Sequence, residues 1–425
     1  MRLDHRRPQK QVCIFSDIGA LYTLRPAAKK SGRKILFDDL GLIKNAAFVT
    51  LAGKILWLGE EKKLPKEYSK LKKDIKKISF DGATLLPGFI ESHTHMIFAG
   101  SRAHEFDWRN QGVTYQEISK KGGGILSTLK QTRQAKAQDL LEHAQKNLDD
   151  FIRQGVTTLE TKSGYALNAE GEKKLLNVAG QLKKIRVVRT YLGAHSLPPE
   201  FKSTSDYIDQ MIAKDLPEIA RRRLAERVDI FVEKGFFSVS DGRRYFDMAR
   251  KLGLDTCVHA DQLSLSGGAE LAIDYGSASA DHLIQIGEHE ISRLAKSEVT
   301  CTLLPGADLY MKCAYPPARG LIDAGARVAL ATDFNPGTSP TQDLSLIGVL
   351  ARVEMKMTLA EVIAAYTIGA AYALRLEKEM GSLEVGKAAN FVVLESGIDE
   401  LFYQIGKSPV RQTWFAAEMI FSKQD

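Results

Sequence analysis

Two histidines separated by one residue are the first candidates for chemistry. His93 and His95 lie in LLPGFIESHTHMIFAGSRAHE (85–105), after an apolar run that Pro87-Gly88 interrupts. Because residues i and i+2 of a strand point to the same side, both imidazoles can face one point. This spacing is typical of a metal site. It is also found where two polar residues simply mark the point at which a strand leaves the core.

Further potential ligands occur later in the chain. VHADQ contains His259, SADHL contains His282 and ATDFNPG contains Asp333. Imidazoles with a carboxylate suit zinc or another first-row ion, which lowers the pKa of a bound water toward about 7. A remaining histidine and the aspartate could then transfer protons. Capping of strand ends explains any one of these histidines equally well, but the whole group predicts a metal-dependent hydrolytic site.

The elements that would position these side chains alternate between strands and helices. Leucine, alanine and phenylalanine at helical spacing predict helices at 135–155, 238–253 and 266–276. The eight candidate strands are 83–93, 156–161, 185–195, 228–233, 255–260, 277–284, 298–305 and 326–333.

This alternation is typical of both a (β/α)8 barrel and an open doubly wound sheet. We expect the barrel, an α/β fold, because it gathers the carboxyl ends of all its strands into one ring. The polar residues at these ends are His93, His195, His259, His282 and Asp333.

The two ends of the chain have a different pattern. AAFVTLAGKILWLGE, within residues 33–82, predicts a hairpin, and GSLEVGKAANFVVLE (381–395) contains similar strand-like runs. We expect both ends to form a small β-sandwich domain, residues 1–82 with 376–425. The barrel domain would then occupy residues 83–375.

Composition narrows the class of protein. The chain has 425 residues, 44% of them hydrophobic, and a formal net charge of +7. A basic run at 61–77 is expected to be an exposed loop, and no nucleic-acid motif accompanies it. We therefore expect no nucleic-acid partner, although a mild positive field would attract a small anionic substrate.

Cysteine usage and hydropathy indicate the compartment. The four cysteines show no CxxC spacing, which predicts free thiols in a reducing environment. No apolar run follows the basic start MRLDHRRPQKQV, and no stretch approaches the roughly 20 residues that span a bilayer. We expect a cytoplasmic protein without a membrane partner.

The motifs together resemble a known family. LPGFIESHTH is similar to the metal-binding signature of the amidohydrolase superfamily, in which a (β/α)8 barrel adjoins a β-sandwich made from both chain ends. Within it the chain resembles the imidazolonepropionase family. The similar stretches are HTHMIFAGSRAHEF, GGGI, LETKSGYAL, YLGAHSLPPE, VHADQLS, SADHL and TDFNPGT.

The resemblance implies hydrolysis of the cyclic amide C–N bond of 4-imidazolone-5-propanoate, which yields N-formimidoyl-L-glutamate in histidine degradation. It implies one zinc or iron ion per subunit and a homodimer. His282 and Asp333 would be catalytic. The implied metal ligands are His93, His95, His259 and Asp333. The implied substrate-binding residues are Arg102, Tyr165, His195, Gln262, Asn335, Gly337 and Thr338.

Two of these residues also have a physical rationale. Arg102 follows His95 closely and offers a bidentate clamp for the substrate's propionate, although a surface salt bridge is its alternative role. Gln262 cannot act as a base, so we assign it to ring recognition. In some relatives a carbamylated lysine bridges two metal ions. Lys162 instead lies in a motif that resembles the imidazolonepropionase family, which favours a single ion.

Other functions remain open at this point. The chain could be another cyclic-amide hydrolase or an aminopurine deaminase of the same superfamily, for which Arg102 would be dispensable. It could also be a catalytically silent scaffold, although such a protein is expected to lose metal ligands. Zinc and iron suit the same ligands, so the sequence does not choose between them.

Overall fold

The computed structural model describes residues 11–70, 75–113, 117 and 123–423. The amino-terminal residues 1–10, in which we expect no targeting signal, lie outside this range, as does Gly122 of the GGGI motif. The strands are β1 Val12–Tyr22, β2 Leu42–Leu51, β3 Lys54–Glu60, β4 Ile75–Ser79, β5 Thr84–Pro87, β6 Phe89–Glu91, β7 Val156–Lys162, β8 Arg186–Ala194, β9 Arg227–Val232, β10 Asp255–Ala260, β11 Ser279–His282, β12 Thr300–Leu303, β13 Arg327–Leu330, β14 Phe391–Leu394, β15 Val410–Phe415 and β16 Glu418–Ser422.

Helices connect most of these strands. The α-helices are Arg25–Lys29, Lys66–Lys70, Ala103–Asn110, Ile125–Gln134, Ala137–Arg153, Ala169–Ala179, Thr204–Gln210, Leu216–Arg222, Val239–Lys251, Gly268–Asp274, Glu288–Lys296, Pro305–Met311, Ala318–Ala324, Leu344–Val353, Leu359–Ala364 and Ala370–Ala373. Short 3-10 turns occupy Phe37–Leu40, Glu61–Lys63 and Ile398–Glu400, and π-helical turns occupy Met211–Asp215 and Ala365–Gly369. None of the described helices is long and apolar enough to cross a membrane.

Strands β6 to β13 form an eight-stranded sheet in sequence order, and every neighbouring pair is parallel. A parallel bridge between Thr94 and Phe334 joins the two ends of this sheet. The amide of His95 donates to the Phe334 carbonyl at 2.9 Å, and that of Asp333 donates to the His93 carbonyl at 3.2 Å. The predicted barrel is confirmed, and its seam lies at the histidine pair.

The helix Ala137–Arg153 shows why the predicted helices form. It buries Leu140, Ala144, Leu148 and Phe151 at helical spacing, while Glu142 and most other polar residues face outward. This apolar face belongs to the main hydrophobic core around the barrel. Truncating a buried side chain such as Phe151 to alanine costs about 3–5 kcal/mol of stability.

The chain ends form a second, mixed sheet with the strand order β16-β15-β14-β5-β1-β2-β3, and β4 pairs with β1. Strands β1 and β15 are not neighbours, yet the rings of Phe15 and Trp414 lie 5.5 Å apart. Phe48, Phe80 and Phe391 also belong to this aromatic cluster. The two halves of the sheet therefore face each other, and the predicted β domain from both chain ends is confirmed.

Two local predictions were wrong. Residues 83–93 do not form one strand: β5 pairs with β14 in the mixed sheet, while β6 pairs with β7 in the barrel. The change of sheet falls at Gly88, where a Cβ atom would lie 2.3 Å from the Thr157 side chain. The described part of the basic run 61–77 is not a loop, because β4 pairs in parallel with β1, and residues 71–74 lie outside the described range. The domain limits 1–82 with 376–425 and 83–375 stay a prediction.

Candidate metal-dependent active site

Three histidines meet inside the barrel at the carboxyl ends of its strands. The ligand atoms of His93, His95 and His259 all lie within 4.8 Å of one another. His95 Nε2 and His259 Nε2 are 3.3 Å apart, and Asp333 Oδ1 lies 3.5 Å from the Nε2 atoms of both His93 and His95. Two nitrogens at about 2.1 Å from a tetrahedral ion would be separated by about 3.4 Å. The spacing therefore fits a shared metal ion.

Buried carboxylates orient two of these rings. His93 Nδ1 donates to Asp281 Oδ2 at 2.7 Å, and His259 Nδ1 lies 3.0 Å from Asp229 Oδ2. These contacts place the protons on Nδ1 and leave the Nε2 lone pairs for the centre of the cluster. Among the described residues, the buried Nε2 of His93 has no hydrogen-bond partner. An orphaned, oriented imidazole nitrogen is what a metal site requires.

The electrostatics of the cluster favour ligation. Burial, followed by the charges of neighbouring groups such as Lys162, holds the pKa of both His93 and His95 well below its ordinary value. Burial also lowers the pKa of His259, but the Asp229 carboxylate outweighs that effect and raises it. Such a carboxylate partner makes the imidazole a more basic ligand.

Asp333 and His282 complete the ring around the cluster. Both adopt left-handed backbone angles, with φ of +53° and +79°, which are costly for residues with a Cβ atom and are common at functional sites. Burial raises the pKa of Asp333 to about 7. The ring of His282 lies 5.2 Å from that of His259, between centroids.

A cavity of about 250 Å³ opens above the cluster. It brings together most of the predicted site residues. Those that line it are His95, Arg102, Tyr165, His195, His259, Gln262, His282, Asp333, Asn335 and Thr338. His93 and Gly337 do not line it: His93 lies beneath, and Gly337 lies behind the Arg102 guanidinium.

Arg102 is buried at the cavity rather than exposed in a surface salt bridge. Its Nε donates to Glu105 Oε2 at 2.9 Å, and Glu105 Oε1 in turn accepts from the Gly124 amide. A Cβ atom at Gly337 would lie 2.0 Å from Arg102 Nη1, so glycine leaves the space that the guanidinium fills. Glu105 and Gly337 therefore fix the position of the arginine.

The loop after β13 is held mainly by its own hydrogen bonds. Asn335 Oδ1 accepts from the amides of Gly337 and Thr338, and Asn335 Nδ2 donates to the Asp333 carbonyl and to Thr338 Oγ1. The polar atoms of the Asn335 side chain are thus used within the loop, as in an Asx turn. Its structural task is to present Asp333 and Thr338 to the cavity.

Tyr165, His195 and Gln262 form other parts of the wall. His195 Nδ1 donates to the Gly164 carbonyl at 3.0 Å, which leaves Nε2 as an acceptor, and burial lowers the pKa of His195 to about 4. The ring centroids of Tyr165 and His195 lie 5.5 Å apart. Gln262 Nε2 contacts Met311 Sδ at 3.6 Å, a weak bond that a ligand can displace.

Sequence reasoning missed the apolar wall and the buried carboxylates. Leu263 joins this wall from the VHADQLS motif. The other apolar lining residues resemble ordinary core positions, and they are Ile125, Phe231, Phe236 and Met311. The carboxylates Asp229 and Asp281 lie inside strands, and Asp281 directly precedes His282 in SADHL. The sequence signal that could have indicated Asp229 and Asp281 was a charged residue within an otherwise apolar strand.

Comparisons with known proteins show the family and the fold of the chain. A model of the amidohydrolase family matches residues 118–421. The imidazolonepropionase of Bdellovibrio bacteriovorus is 54% identical, over 96% of both chains, and that of Geobacillus kaustophilus is 42% identical, over 88% of this chain and 89% of its own. An adenosine deaminase from Xanthomonas campestris, solved with bound zinc, has the same fold: its TM-score is 0.69 at 17% identity, over 96% of this chain and 92% of its own.

The barrel, its histidine cluster and the matched residues define the chain as a member of the amidohydrolase family, with a site capable of holding a metal ion. It is a hydrolase of carbon–nitrogen bonds. Within that family it belongs to the imidazolonepropionases, as its identity to curated members over nearly its whole length shows. The resemblance predicted from its motifs is confirmed.

Proposed function

We propose that this protein hydrolyses the cyclic amide C–N bond of 4-imidazolone-5-propanoate and releases N-formimidoyl-L-glutamate. One observation carries the proposal: the histidine cluster and the Arg102 guanidinium open into the same cavity of about 250 Å³. The substrate combines a hydrolysable ring amide with a propionate. A site for it therefore needs a hydrolytic centre and a fixed cation within one small molecule's length.

The proposed ligands are His93, His95, His259 and Asp333, which would hold one zinc or iron ion per subunit. When bound, such an ion activates water at neutral pH and polarises the amide carbonyl. The stoichiometry is supported by Lys162, whose ammonium lies 2.9 Å from Asp229 Oδ2 and thus fills the neighbouring acidic position. A second cation there would meet a positive charge.

The chain's own residues would bind and orient the substrate. The Arg102 guanidinium forms a charge-assisted pair with the propionate, and the hydroxyl of Tyr165 hydrogen-bonds to the same group. His195 Nε2 accepts a hydrogen bond from a ring N–H, and the Gln262 amide recognises the ring edge. The apolar wall that includes Phe231 and Met311 excludes water from the remaining faces.

Asp333 and His282 are the proposed catalytic residues for proton transfer. The Asp333 carboxylate takes a proton from the attacking water and delivers it to the departing ring nitrogen. His282 holds the carbonyl end of the ring in place. Its support is its position on the cavity wall beside His259, with a buried Nδ1 that has no hydrogen-bond partner among the described residues.

We further propose that the enzyme is a cytoplasmic homodimer. All four cysteines are free thiols, which suits a reducing compartment.

The dimer is proposed from the family resemblance, and light scattering of the purified protein is its test. A monomer at micromolar concentration would contradict it.

A substrate comparison tests the proposed function. Purified, metal-loaded protein is offered freshly prepared 4-imidazolone-5-propanoate and, separately, guanine and adenosine. We expect turnover of the imidazolone, with N-formimidoyl-L-glutamate as the product, and kcat/KM values for the purines lower by at least about 10³-fold. Preferential deamination of a purine would replace this proposal with the aminopurine alternative.

A further inference from the structure

A buried lysine lies beneath the histidine cluster. Lys162, at the end of β7, is 2% exposed, and it is absent from the lining of the cavity. Its Nζ lies 2.9 Å from Glu160 Oε1, 2.9 Å from Asp229 Oδ2 and 3.7 Å from Asp281 Oδ2. One ammonium group therefore contacts three buried carboxylates.

Two of these carboxylates are the partners of metal-ligand candidates. Asp281 accepts the Nδ1 proton of His93, and Asp229 contacts His259 twice, through its ring and through its backbone amide at 3.2 Å. The ammonium of Lys162 thus lies between the groups that set the tautomer and the rotation of both rings.

The third carboxylate reaches the histidine pair itself. Glu160 Oε2 accepts from the amide of Thr94, the residue between His93 and His95, at 3.2 Å, and the Glu160 carbonyl accepts from Thr94 Oγ1 at 2.7 Å. Thr190 Oγ1 donates to Glu160 Oε1, next to the lysine. Each carboxylate around the ammonium therefore fixes a different part of the cluster.

The charges explain why a cation is needed at this point. Three carboxylates in one buried space repel each other unless a positive charge lies between them. Burial lowers the pKa of Lys162, but the surrounding carboxylates outweigh that effect and raise it well above the ordinary value. The Lys162 ammonium lies at ion-pair distance from Asp229 and Asp281, the two carboxylates that contact the ligating imidazoles.

We propose that Lys162 is the positioning residue of the metal centre: its ammonium holds Glu160, Asp229 and Asp281 in the arrangement that aligns the ligating histidines. This inference rests on the proposed metal centre. Lys162 acts through the carboxylates, and it does not line the substrate cavity.

The test is the metal affinity of Lys162→Met, measured by competition with a chromogenic chelator for Zn²⁺. Loss of partners that orient metal ligands typically weakens affinity 10–100-fold, and we expect a loss in this range. Lys174→Met is the matched control, because Lys174 Nζ donates to the carbonyls of Thr132, Arg133 and Ala135, away from the site. The control is expected to lower the melting temperature while its Zn²⁺ affinity stays within twofold of wild type.

A second variant keeps the test decisive if the single change prevents folding. The double variant Lys162→Met, Glu160→Gln removes one charge of each sign. Its buried net charge therefore equals that of the wild type, whereas Lys162→Met alone adds one uncompensated negative charge. We expect it to show the same weakened Zn²⁺ affinity and, with Co²⁺ bound, visible absorption bands shifted from those of the wild type. The positions of those bands depend on the geometry of the ligands around Co²⁺. A general loss of stability does not change the band positions.

Unchanged Zn²⁺ affinity and unchanged Co²⁺ bands in either folded variant would overturn the role of Lys162. Failure of the wild-type protein to bind any of these ions would instead overturn the proposed metal centre. The two failures are therefore distinguishable in one set of titrations.

Discussion

The Nε2 atoms of His95 and His259 lie 3.3 Å apart, although the two residues are 164 positions apart in the sequence. Each nitrogen is brought there by a separate strand end, His95 after β6 and His259 in β10. The barrel seam fixes the backbone of His95, and the Asp229 contact orients the ring of His259. A shared ion accounts for two imidazole nitrogens held this close together.

His259→Ala should abolish both metal binding and turnover. The ion supplies several kcal/mol of transition-state stabilisation, so kcat/KM is expected to fall by at least about 10³-fold. Elemental analysis and steady-state kinetics on the same preparation measure both effects. His289→Ala is the control for turnover, since the His289 side chain is 73% exposed and does not line the cavity. Full activity in a metal-free His259→Ala preparation would refute this ligand.

Arg102→Gln should weaken substrate binding without loss of the ion. A hydrogen bond to a charged group contributes about 1.5–3 kcal/mol, so kcat/KM should fall about 10- to 100-fold, mostly through KM. Arg102→Lys should recover only part of the loss, because an ammonium group cannot pair with a carboxylate in the same bidentate way. An unaltered KM in Arg102→Gln would rule out the propionate clamp.

Glu233→Ala should loosen the loop that carries Gln262 and Leu263. Glu233 Oε2 accepts from the amides of Leu263 and Ser264, and its Oε1 accepts from the hydroxyl of Ser266. We expect KM to rise about 10-fold while metal content stays at the wild-type level, because the ligands lie outside this loop. Kinetics and elemental analysis provide the measurement. A loss of bound metal would show that the loop also supports the centre.

Asp215→Asn should stabilise the protein above pH 6. Burial raises the pKa of Asp215 to about 6, while Tyr191 donates to its carboxylate at 3.2 Å. The folded state therefore prefers the neutral acid, and the wild type loses stability as the pH rises from about 4 to about 6. We expect the variant to gain about 1–2 kcal/mol at pH 7.5 after allowance for solvent screening, and much less at pH 4.5. Melting curves at the two pH values measure the difference, and equal gains at both would disprove the titration.

The sequence was sufficient for the barrel and for the polar residues around the cavity. His259 and Asp333 end apolar, strand-like runs, and strand ends of a parallel barrel converge whatever the details of packing. The pairing of β5 with the mixed sheet could not be predicted, because a strand pattern does not state its partner. The chain passes from β5 to β6 at Gly88, where the Thr157 side chain leaves no space for a Cβ atom.

The supports of the site were not predictable for a similar reason. Asp229 and Lys162 lie in different strands, and their 2.9 Å contact depends on barrel register rather than on spacing in the chain. The hydrogen bonds that Asn335 makes within its loop were not predictable either, and its contact with the substrate stays a prediction. Such roles depend on which partner each polar atom finds.

Turnover of 4-imidazolone-5-propanoate before and after metal removal tests the central claim most directly. Protein treated with a strong chelator and then dialysed is assayed as zinc or ferrous ion is added back in measured amounts. We predict that the metal-free protein is inactive and that activity returns in proportion to added metal until one ion per subunit is bound. Undiminished turnover by the metal-free protein would contradict the account.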